Sequence, residues 1–527
     1  MIKVLASRSR NTTLSAALPS IGDVIFLSLI FVLALNIGQG LLYDGDTGYH
    51  IRTGELILQT WQVPKVDPYS FHQPALPWTA HEWLSELVMA GIFRWLGLTG
   101  IVVFFAILLT VTHWLLYQSL RSRSNDILLC VLVTLLATAA SSSHWLARPH
   151  AFSLLFAVIW CRCLDRFQYD FKNTLIYLPL LMLFWVNFHG AYMVGLVLLA
   201  VYLLGNVFYT IVNTRNSDAR HKVKRLAIAF MATLAVCLVN PSGAEILWFP
   251  FRLTSDRFIM DRVTEFLSPN FHEVLPFKYM LLATIGALAL SRCALNIIEA
   301  TLVVLLSYMA LYSARHVSLF AIVVAPILLK SLESILVGLP ENLYRVYQRR
   351  VANLLALERN LKSRCWPIAG VLLIISFAAT GVIQYEFDEK KFPVAAVDFL
   401  KKEHVAGNMF NNDEYGDYMI FAAWPGYRVF MDGRSDMYGE RFGSDYLRVA
   451  NAYLGWKEIL EKYNITWVLF DTDSALTAAL LEQRDWQAIY SDNTATVFVK
   501  NVPIHAALLQ KYSSITVLNK PPGAAGK

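Results

Sequence analysis

Apolar blocks with at most one charge each recur along the first 383 residues of the chain, separated by polar connections. The first block, at residues 24–42, carries no charge and is 19 residues long, enough to cross the roughly 30 Å hydrocarbon core of a bilayer. Ten further blocks follow at residues 101–120, 127–140, 152–163, 175–186, 193–209, 226–239, 279–290, 294–311, 317–332 and 368–383. The pattern predicts a polytopic α-helical membrane protein with about 11 transmembrane helices. Several blocks are shorter than the roughly 20 residues of an average span. For one or two of them the alternative is a re-entrant segment that enters the bilayer without crossing it.

The pattern changes after residue 383, where apolar segments become short and mix with charged residues. Strands are predicted for the apolar segments at residues 418–422, 428–431, 466–470 and 496–499, and helices for residues 393–400, 446–463 and 475–484. Such a mixture predicts a small C-terminal α/β soluble domain. We therefore divide the chain into a transmembrane module at 1–386, a soluble domain at 387–505 and a tail at 506–527 that is predicted to be partly disordered, above all at 520–527.

Composition and charge agree with this class and set the orientation. A hydrophobic content of 56% with only 16% charged residues excludes an ordinary soluble protein. With the N-terminus inside, the inner connections carry 20 Lys and Arg residues and the outer connections nine. This bias predicts a cytoplasmic N-terminus, with the first outer loop and the C-terminal domain on the extracytoplasmic side. Because the positive charges lie in short inner loops, we expect the lipid bilayer and no nucleic acid as a partner.

The first outer loop, residues 43–100, opens with Asp44-Gly45-Asp46 directly after the first block. Two carboxylates beside the bilayer are costly unless they meet cations, a metal or water, so they are candidates for function. The structural alternative is a turn that ends the helix. Eight of the 12 histidines also map to the outer side, where single ones are often interfacial anchors. Amphipathic segments at 47–61 and 81–96 are predicted to lie on the membrane surface and to roof a cavity.

These features together resemble the GT-C superfamily of membrane glycosyltransferases. The resemblance rests on Asp44-Gly45-Asp46 after the first span, surface segments in the first loop, eleven predicted spans and an outer soluble domain. Members include protein O-mannosyltransferases, oligosaccharyltransferase catalytic subunits and the lipid A aminoarabinose transferase. The phrases Asp46-Thr47-Gly48-Tyr49-His50, Trp185-Val186-Asn187-Phe188-His189-Gly190, Asn240-Pro241-Ser242-Gly243 and Asp432-Gly433-Arg434 are similar to those of a large bacterial group of such proteins. The resemblance therefore implies a location in the bacterial inner membrane.

The resemblance implies transfer of a sugar from a polyprenyl-phosphate carrier to a lipid, glycan or protein acceptor, with inversion at the sugar. It implies Asp44 as the general base, with Asp46 assisting it or binding a divalent metal such as Mg or Mn together with Glu265. A leaving phosphate also needs cations and hydrogen-bond donors. The candidates for substrate or phosphate binding at the outer side are His50, Arg148, His150, Asn187, His189, Arg257, Glu265, Arg315 and His316. The alternative for each is ordinary anchoring at the membrane interface.

Two other functions share some of these features. A polysaccharide polymerase or ligase that uses a diphosphate-linked glycan needs similar outer cations. A transporter of a lipid-linked substrate is disfavoured, because it predicts charges near the bilayer midplane and repeated halves, and the span centres here are almost free of charge. A nucleotide-sugar donor is disfavoured as well, because the chain has neither a P-loop nor a dinucleotide-binding fingerprint.

Overall fold

The computed structural model describes residues 18–212, 217–361, 365–515 and 517. Six of the 20 inner Lys and Arg residues counted above lie outside this part of the chain, namely Lys3, Arg8, Arg10, Arg215, Lys362 and Arg364. The end at 520–527, which is predicted to be disordered, also lies outside it.

The described part of the membrane module is mostly helical, with irregular connections such as residues 61–82. Its helices are α1 (Ile21–Phe31), α2 (Asp46–Thr60), α3 (Trp83–Arg121), α4 (Ile127–Ser141), α5 (His150–Asp170), α6 (Tyr177–Phe188), α7 (Tyr192–Val212), α8 (Ser217–Val236), α9 (Glu245–Ser255), α10 (Arg257–Met260), α11 (Pro276–Leu290), α12 (Ile297–Tyr312), α13 (Val317–Val337), α14 (Glu341–Asn360) and α15 (Trp366–Ala379). A π-helical turn (Val32–Asn36) and a 3₁₀ turn (Gly38–Leu42) continue α1 towards the first outer loop.

Each of the eleven predicted apolar blocks overlaps one of these helices. Among the described residues, four helical segments are long and apolar enough to cross a membrane: α3, α4 with its following turn, α7, and α13 with its preceding turn. Five shorter apolar helices accompany them, namely α1 with its π-helical turn, α6, α11, α12 and α15. The helical membrane class is therefore confirmed, and the number of crossings stays a prediction.

The C-terminal domain is a small α/β unit built on one mixed sheet. Its elements are α16 (Val394–Glu403), β1 (Asn408–Asn411), α17 (Asp413–Ala423), α18 (Ser435–Ala450), α19 (Trp456–Lys462), β2 (Ile465–Asp471), α20 (Ala475–Leu481), β3 (Trp486–Ser491), β4 (Ala495–Lys500) and α21 (Ala506–Lys511). The strand order is β1-β2-β4-β3, with β1 parallel to β2 and the other two pairs antiparallel. The predicted tail thus begins with a helix.

Two strand predictions in this domain were wrong. Residues 418–422 are helical because they continue α17, which Asn412 caps by accepting a hydrogen bond from the backbone N–H of Tyr415 at 3.3 Å. Residues 428–431 are extended but are not a strand of the sheet, since Val429 pairs instead with Ser70 of the first outer loop. The predicted helix at 446–463 is split into α18 and α19, with Gly455 at a φ of 87° between them. The strands β1 and β3 were not predicted.

The two helices predicted in the first outer loop are present as α2 and the first part of α3, which breaks at Gly97 with a φ of 60°. However, α2 does not lie open on a surface, because it packs between α3 and α17. Glycines permit both contacts: a Cβ at Gly54 would collide with the carbonyl of Glu86, and one at Gly48 would lie 2.7 Å from Cβ of Phe421. The C-terminal domain therefore covers the first outer loop.

A buried ion pair joins the domain to this loop. Nη2 of Arg434 lies 2.7 Å from Oδ1 of Asp67 and 2.7 Å from Oδ2 of Asp432. The guanidinium also stacks over the rings of Tyr69 and Trp78 at 4.9 and 4.6 Å. Breaking such a buried pair by removing one partner leaves an uncompensated charge, so this contact holds the domain in one position against the loop.

We expect the Gly54→Ala variant to be destabilised by about 1–3 kcal/mol, because its methyl group overpacks the crossing of α2 and α3. The measurement is the melting temperature in detergent. Gly91→Ala is the matched control on α3, since a Cβ there would meet nothing within 4 Å. Equal melting temperatures for the two variants would contradict the close helix contact.

Candidate functional site

Arg148 lies at the centre of a cluster of carboxylates from two other parts of the chain. Its Nη1 atom is 2.7 Å from Oδ2 of Asp44 and 2.6 Å from Oε1 of Glu265, and its Nη2 atom contacts Oδ2 of Asp46. Arg148 precedes α5, the two aspartates open α2, and Glu265 precedes α11. The planar fork of arginine suits such multiple carboxylate contacts. Three connections predicted for the outer side therefore meet at one side chain.

A second arginine completes the cluster through Glu265. Nε of Arg315 lies 3.0 Å from Oε2 of Glu265, and its guanidinium stacks over the ring of Phe266 at 4.6 Å. The hydroxyl of Ser313 donates a hydrogen bond to the carbonyl of Glu265 at 2.9 Å, and the N–H of Ala314 donates to the carbonyl of Leu267 at 2.9 Å. Burial opposes the ionisation of Glu265, but Arg148 and Arg315 outweigh it and hold its pKa well below the ordinary value.

The C-terminal domain supplies another acid to the same place. The carboxyl groups of Asp417 and Asp46 both lie against Gly433: a Cβ there would collide with Oδ1 of Asp46 and lie 2.9 Å from Oδ2 of Asp417. The N–H of Gly433 donates to Oδ1 of Asp417 at 2.9 Å. Burial raises the pKa of Asp46 and of Asp417 well above their ordinary values, and the negative charge of neighbouring acids adds to the effect.

Glu82 forms a separate, histidine-rich group beside the arginine cluster. Its carboxylate lies 3.6 Å from Nε2 of His50, 3.5 Å from Nε2 of His189 and 3.8 Å from Nε2 of His81. In the described part of the chain, no Lys or Arg forms an ion pair with it. Burial raises the pKa of Glu82 to about 7, so this acid changes charge near neutral pH.

Both groups line one cavity of about 730 Å³. Its polar side is formed by Asp44, Asp46, Glu82, Arg148, Glu265, Arg315 and, from the C-terminal domain, Asp417, Asp432 and Asp436. Its apolar wall includes Leu154, Met193, Val194, Val197, Leu253, Phe258, Ile259 and Leu319. The cavity therefore joins a charged surface to a hydrocarbon surface.

Most of the predicted site residues line this cavity: Asp44, Asp46, Arg148, His150, His189, Glu265, Arg315 and His316. Three do not. His50 is buried behind Glu82, with Nδ1 3.1 Å from Oε1 of Glu86. The Asn187 side chain accepts a hydrogen bond from Nε1 of Trp83 at 2.8 Å and donates one to the Val239 carbonyl at 3.0 Å. Arg257 is exposed and outside the cavity lining. The part that each residue takes in binding stays a prediction.

Sequence reasoning left Glu82 and Asp417 out of the site. A signal for Glu82 was its place at the start of an amphipathic segment, directly after His81. For Asp417 the signal was the spacing from Asp413, because acids four residues apart share one face of a helix. Because residues 418–422 are predicted as a strand, the helical spacing of Asp413 and Asp417 is not recognised from the sequence.

The predicted divalent-metal ligands do not fit a metal in this arrangement. Asp46 and Glu265 both contact Arg148, which lies between them. In the described part of the chain, no group of three His, Cys, Asp or Glu side chains converges as metal ligands. We therefore derive no step through a metal from these residues.

We expect Glu82 to make the stability of the protein depend on pH. Its pKa is about 7 in the fold against about 4.5 for an ordinary glutamate, so its contribution is present below pH 4.5 and is lost as the pH rises through 7. Relative to Glu82→Gln, the wild type should lose at most about 3 kcal/mol over this range. Unfolding in detergent across a pH series measures the difference, with the exposed Glu341→Gln as control. A difference that does not change with pH would contradict the assignment.

No protein-family model matches the chain, and no curated protein sequence matches it. Solved structures do match. The complex of the archaeal oligosaccharyltransferase AglB from Archaeoglobus fulgidus with an inhibitory peptide and a dolichol-phosphate has a TM-score of 0.55 at 11% identity, covering 86% of this chain and 69% of that chain. The apo oligosaccharyltransferase of the same organism has a TM-score of 0.54 at 12% identity, with the same coverage.

ArnT from Cupriavidus metallidurans bound to undecaprenyl phosphate aligns with a TM-score of 0.49 at 13% identity, over 92% of this chain and 98% of that chain. At the low identity of the oligosaccharyltransferase matches, the likeness concerns the fold. The predicted resemblance is confirmed at the level of the fold, which the chain shares with these oligosaccharyltransferases.

Proposed function

We propose that this protein is a membrane glycosyltransferase that transfers a sugar from a polyprenyl-phosphate carrier to an acceptor on the extracytoplasmic face. The observation that carries the proposal is the cavity in which Arg148 and Arg315, with their carboxylates, face an apolar wall. A lipid-linked phosphate has the same two parts, a charged head and a long hydrocarbon chain, and ligand sites combine apolar surface with a few placed polar groups.

Arg148 and Arg315 are the groups that bind the donor phosphate in this proposal. Both are held by Glu265, which lies between them. A phosphate makes charge-assisted bonds of the same kind as a carboxylate, so it competes with Glu265 and Asp44 for the two guanidinium groups. Binding of the donor thereby releases Asp44 from Arg148, which couples donor binding to the presence of a free carboxylate.

Asp44 is the general base in this proposal. Before the donor binds, its Oδ2 atom accepts from Arg148 at 2.7 Å and its Oδ1 atom accepts from the N–H of Asp46 at 2.9 Å. Once released, the carboxylate takes the proton of the acceptor nucleophile as that atom bonds to the anomeric carbon. The bond from the anomeric carbon to the phosphate oxygen breaks, and the polyprenyl phosphate leaves with its charge stabilised by the arginines. Attack opposite the leaving phosphate gives inversion.

The oligosaccharyltransferase bound to a dolichol-phosphate supports a polyprenyl phosphate as the carrier, since it shares the fold. The acceptor is a lipid, a glycan or a protein. We place the protein in the bacterial inner membrane, with a cytoplasmic N-terminus and the cavity and C-terminal domain on the extracytoplasmic side, because the positive charges collect in the opposite loops.

We expect Asp44→Asn to lower the transfer rate by about 10²–10⁴-fold, because the amide cannot take the proton. The measurement is transfer of labelled sugar from polyprenyl-phosphate donors by purified protein in detergent. The exposed Asp485→Asn is the control and should keep the wild-type rate. Full activity in Asp44→Asn would remove Asp44 as the base, and a folded wild type that transfers from no donor would contradict the proposed function.

We expect Arg148→Lys to lower kcat/KM for the donor by about 10²-fold, because the ammonium keeps the charge but loses the fork that engages phosphate and carboxylates together. Initial rates over a range of donor concentrations measure the effect. Arg94→Gln, an exposed arginine outside the cavity lining, is the matched control. Unchanged kcat/KM in Arg148→Lys would exclude a role for Arg148 in binding the phosphate.

A further inference from the structure

The turn formed by Asp432, Gly433 and Arg434 belongs to the C-terminal domain, yet it reaches the acids of the first outer loop. Asp432, Gly433 and Arg434 line the same cavity as Asp44 and Asp46. The turn follows the extended residues 428–431, of which Val429 pairs with Ser70 of the first outer loop. The Asn411 side chain of β1 accepts from the N–H of Phe430 at 2.8 Å and donates to the carbonyl of Met431 at 2.7 Å. The position of the turn is therefore set by that loop and β1 together.

Arg434 fastens the turn. Its Nη2 atom contacts Oδ1 of Asp67 at 2.7 Å, and its Nε atom donates to Oδ1 of Asp432 at 2.8 Å. Oδ2 of Asp432 accepts a further hydrogen bond from the hydroxyl of Tyr438 at 2.7 Å. The side chains of Arg434 and Asp67 are 1% and 0% exposed. Since each partner is oriented by several bonds, the turn has one position relative to the loop.

Gly433 stands directly against the acid pair. A Cβ on this residue would collide with Oδ1 of Asp46 and lie 2.9 Å from Oδ2 of Asp417. The first outer loop also packs closely against α17, because a Cβ on Gly45 would lie 2.9 Å from Cβ of Asp417 and 2.8 Å from the carbonyl oxygen of Glu414. The Asp46 carboxylate is thus confined between the turn, α17 and Arg148.

We propose that the Asp432–Arg434 turn is a positioning element for Asp46: Arg434 fixes the turn to the first outer loop, and Gly433 with Asp417 holds the Asp46 carboxylate against Arg148. The inference rests on the proposed function, and it makes the C-terminal domain a part of the active site. Asp46 also orients Arg148, the proposed phosphate-binding group. The Asp432–Arg434 turn therefore affects Arg148 indirectly, because it contacts Asp46 and Asp46 contacts Arg148.

The test is Gly433→Ala in the full-length protein, in the same transfer assay. We expect kcat to fall by about 10²-fold, because a shift of about 1 Å in a site of this kind has an effect of that size. Melting temperatures of Gly433→Ala and of Gly91→Ala, whose added methyl group meets nothing, give the folded fraction, and kcat is expressed per folded protein. A wild-type kcat would overturn the proposal, as would a loss of activity explained entirely by a smaller folded fraction.

Asp417 provides the conservative pair of variants. Asp417→Asn keeps the shape of the side chain and the oxygen that accepts from Gly433, so its kcat should stay within about threefold of the wild type. Asp417→Ala removes the side chain that lies beside Asp46 and the hydrogen bond from Gly433, and its kcat should fall by at least tenfold. Equal rates for the two variants would overturn a positioning role for Asp417.

A thiol-labelling experiment, which needs no substrate, tests this inference independently of the proposed function. In Asp46→Cys protein, a charged methanethiosulfonate reagent should label the introduced thiol slowly, because the turn and α17 cover it. Adding Arg434→Lys, which removes the fork that holds the turn, should speed labelling at least tenfold in protein that remains folded and monodisperse. Equal labelling rates would overturn the inference. If the wild type transfers no sugar while labelling responds as expected, the proposed function fails and the coverage of residue 46 by the turn stands.

Discussion

The guanidinium of Arg148 holds together connections that lie more than 100 residues apart in the chain. Asp44 and Asp46 reach it from the start of α2, and Glu265 reaches it from the segment before α11. Each of these carboxylates is mostly removed from water, and a buried charge that loses its partner destabilises a protein strongly. The helix ends that carry these residues therefore cannot be placed independently. The cavity, its charged side and the position of the 264–267 segment all follow from this one shared contact.

The same contact explains how a stable cluster is able to bind a substrate. Glu265 is shared between two arginines, and both oxygens of Asp44 already accept hydrogen bonds. A cluster saturated in this way holds its arginines in place before any ligand arrives, which is the preorganisation that electrostatic catalysis requires. A phosphate replaces carboxylates on the arginines and needs no rearrangement of the helices. Glu82, whose close contacts among the described residues are with the rings of His50, His81 and His189, lies beside this cluster and adds the response to pH.

The C-terminal domain is joined to the membrane module by contacts of several kinds. Val429 extends the backbone pairing of the first outer loop, Arg434 forms the buried pair with Asp67, and Nε of Arg52 donates to the carbonyl of Phe421 at 2.6 Å. Glycines at 45, 48 and 433 let the backbones approach closely enough for these contacts. A domain held by these contacts shapes the cavity directly.

Local patterns along the chain were enough to predict the helical membrane class, the apolar blocks and a C-terminal α/β unit. They also singled out Asp44, Asp46, Arg148, Glu265 and Arg315 as charged candidates on one side. Length and apolarity predict spans, and a charge beside a bilayer must have a partner. The folded structure was needed to show that one arginine pairs with three acids and that Glu82 is surrounded by imidazoles. It also decided that Asp417 and Gly433 come from the other domain to meet Asp46. Such contacts join residues that lie far apart in the chain. Their geometry depends on how the helices pack and on glycines that let backbones approach closely, and a local sequence pattern does not contain this information.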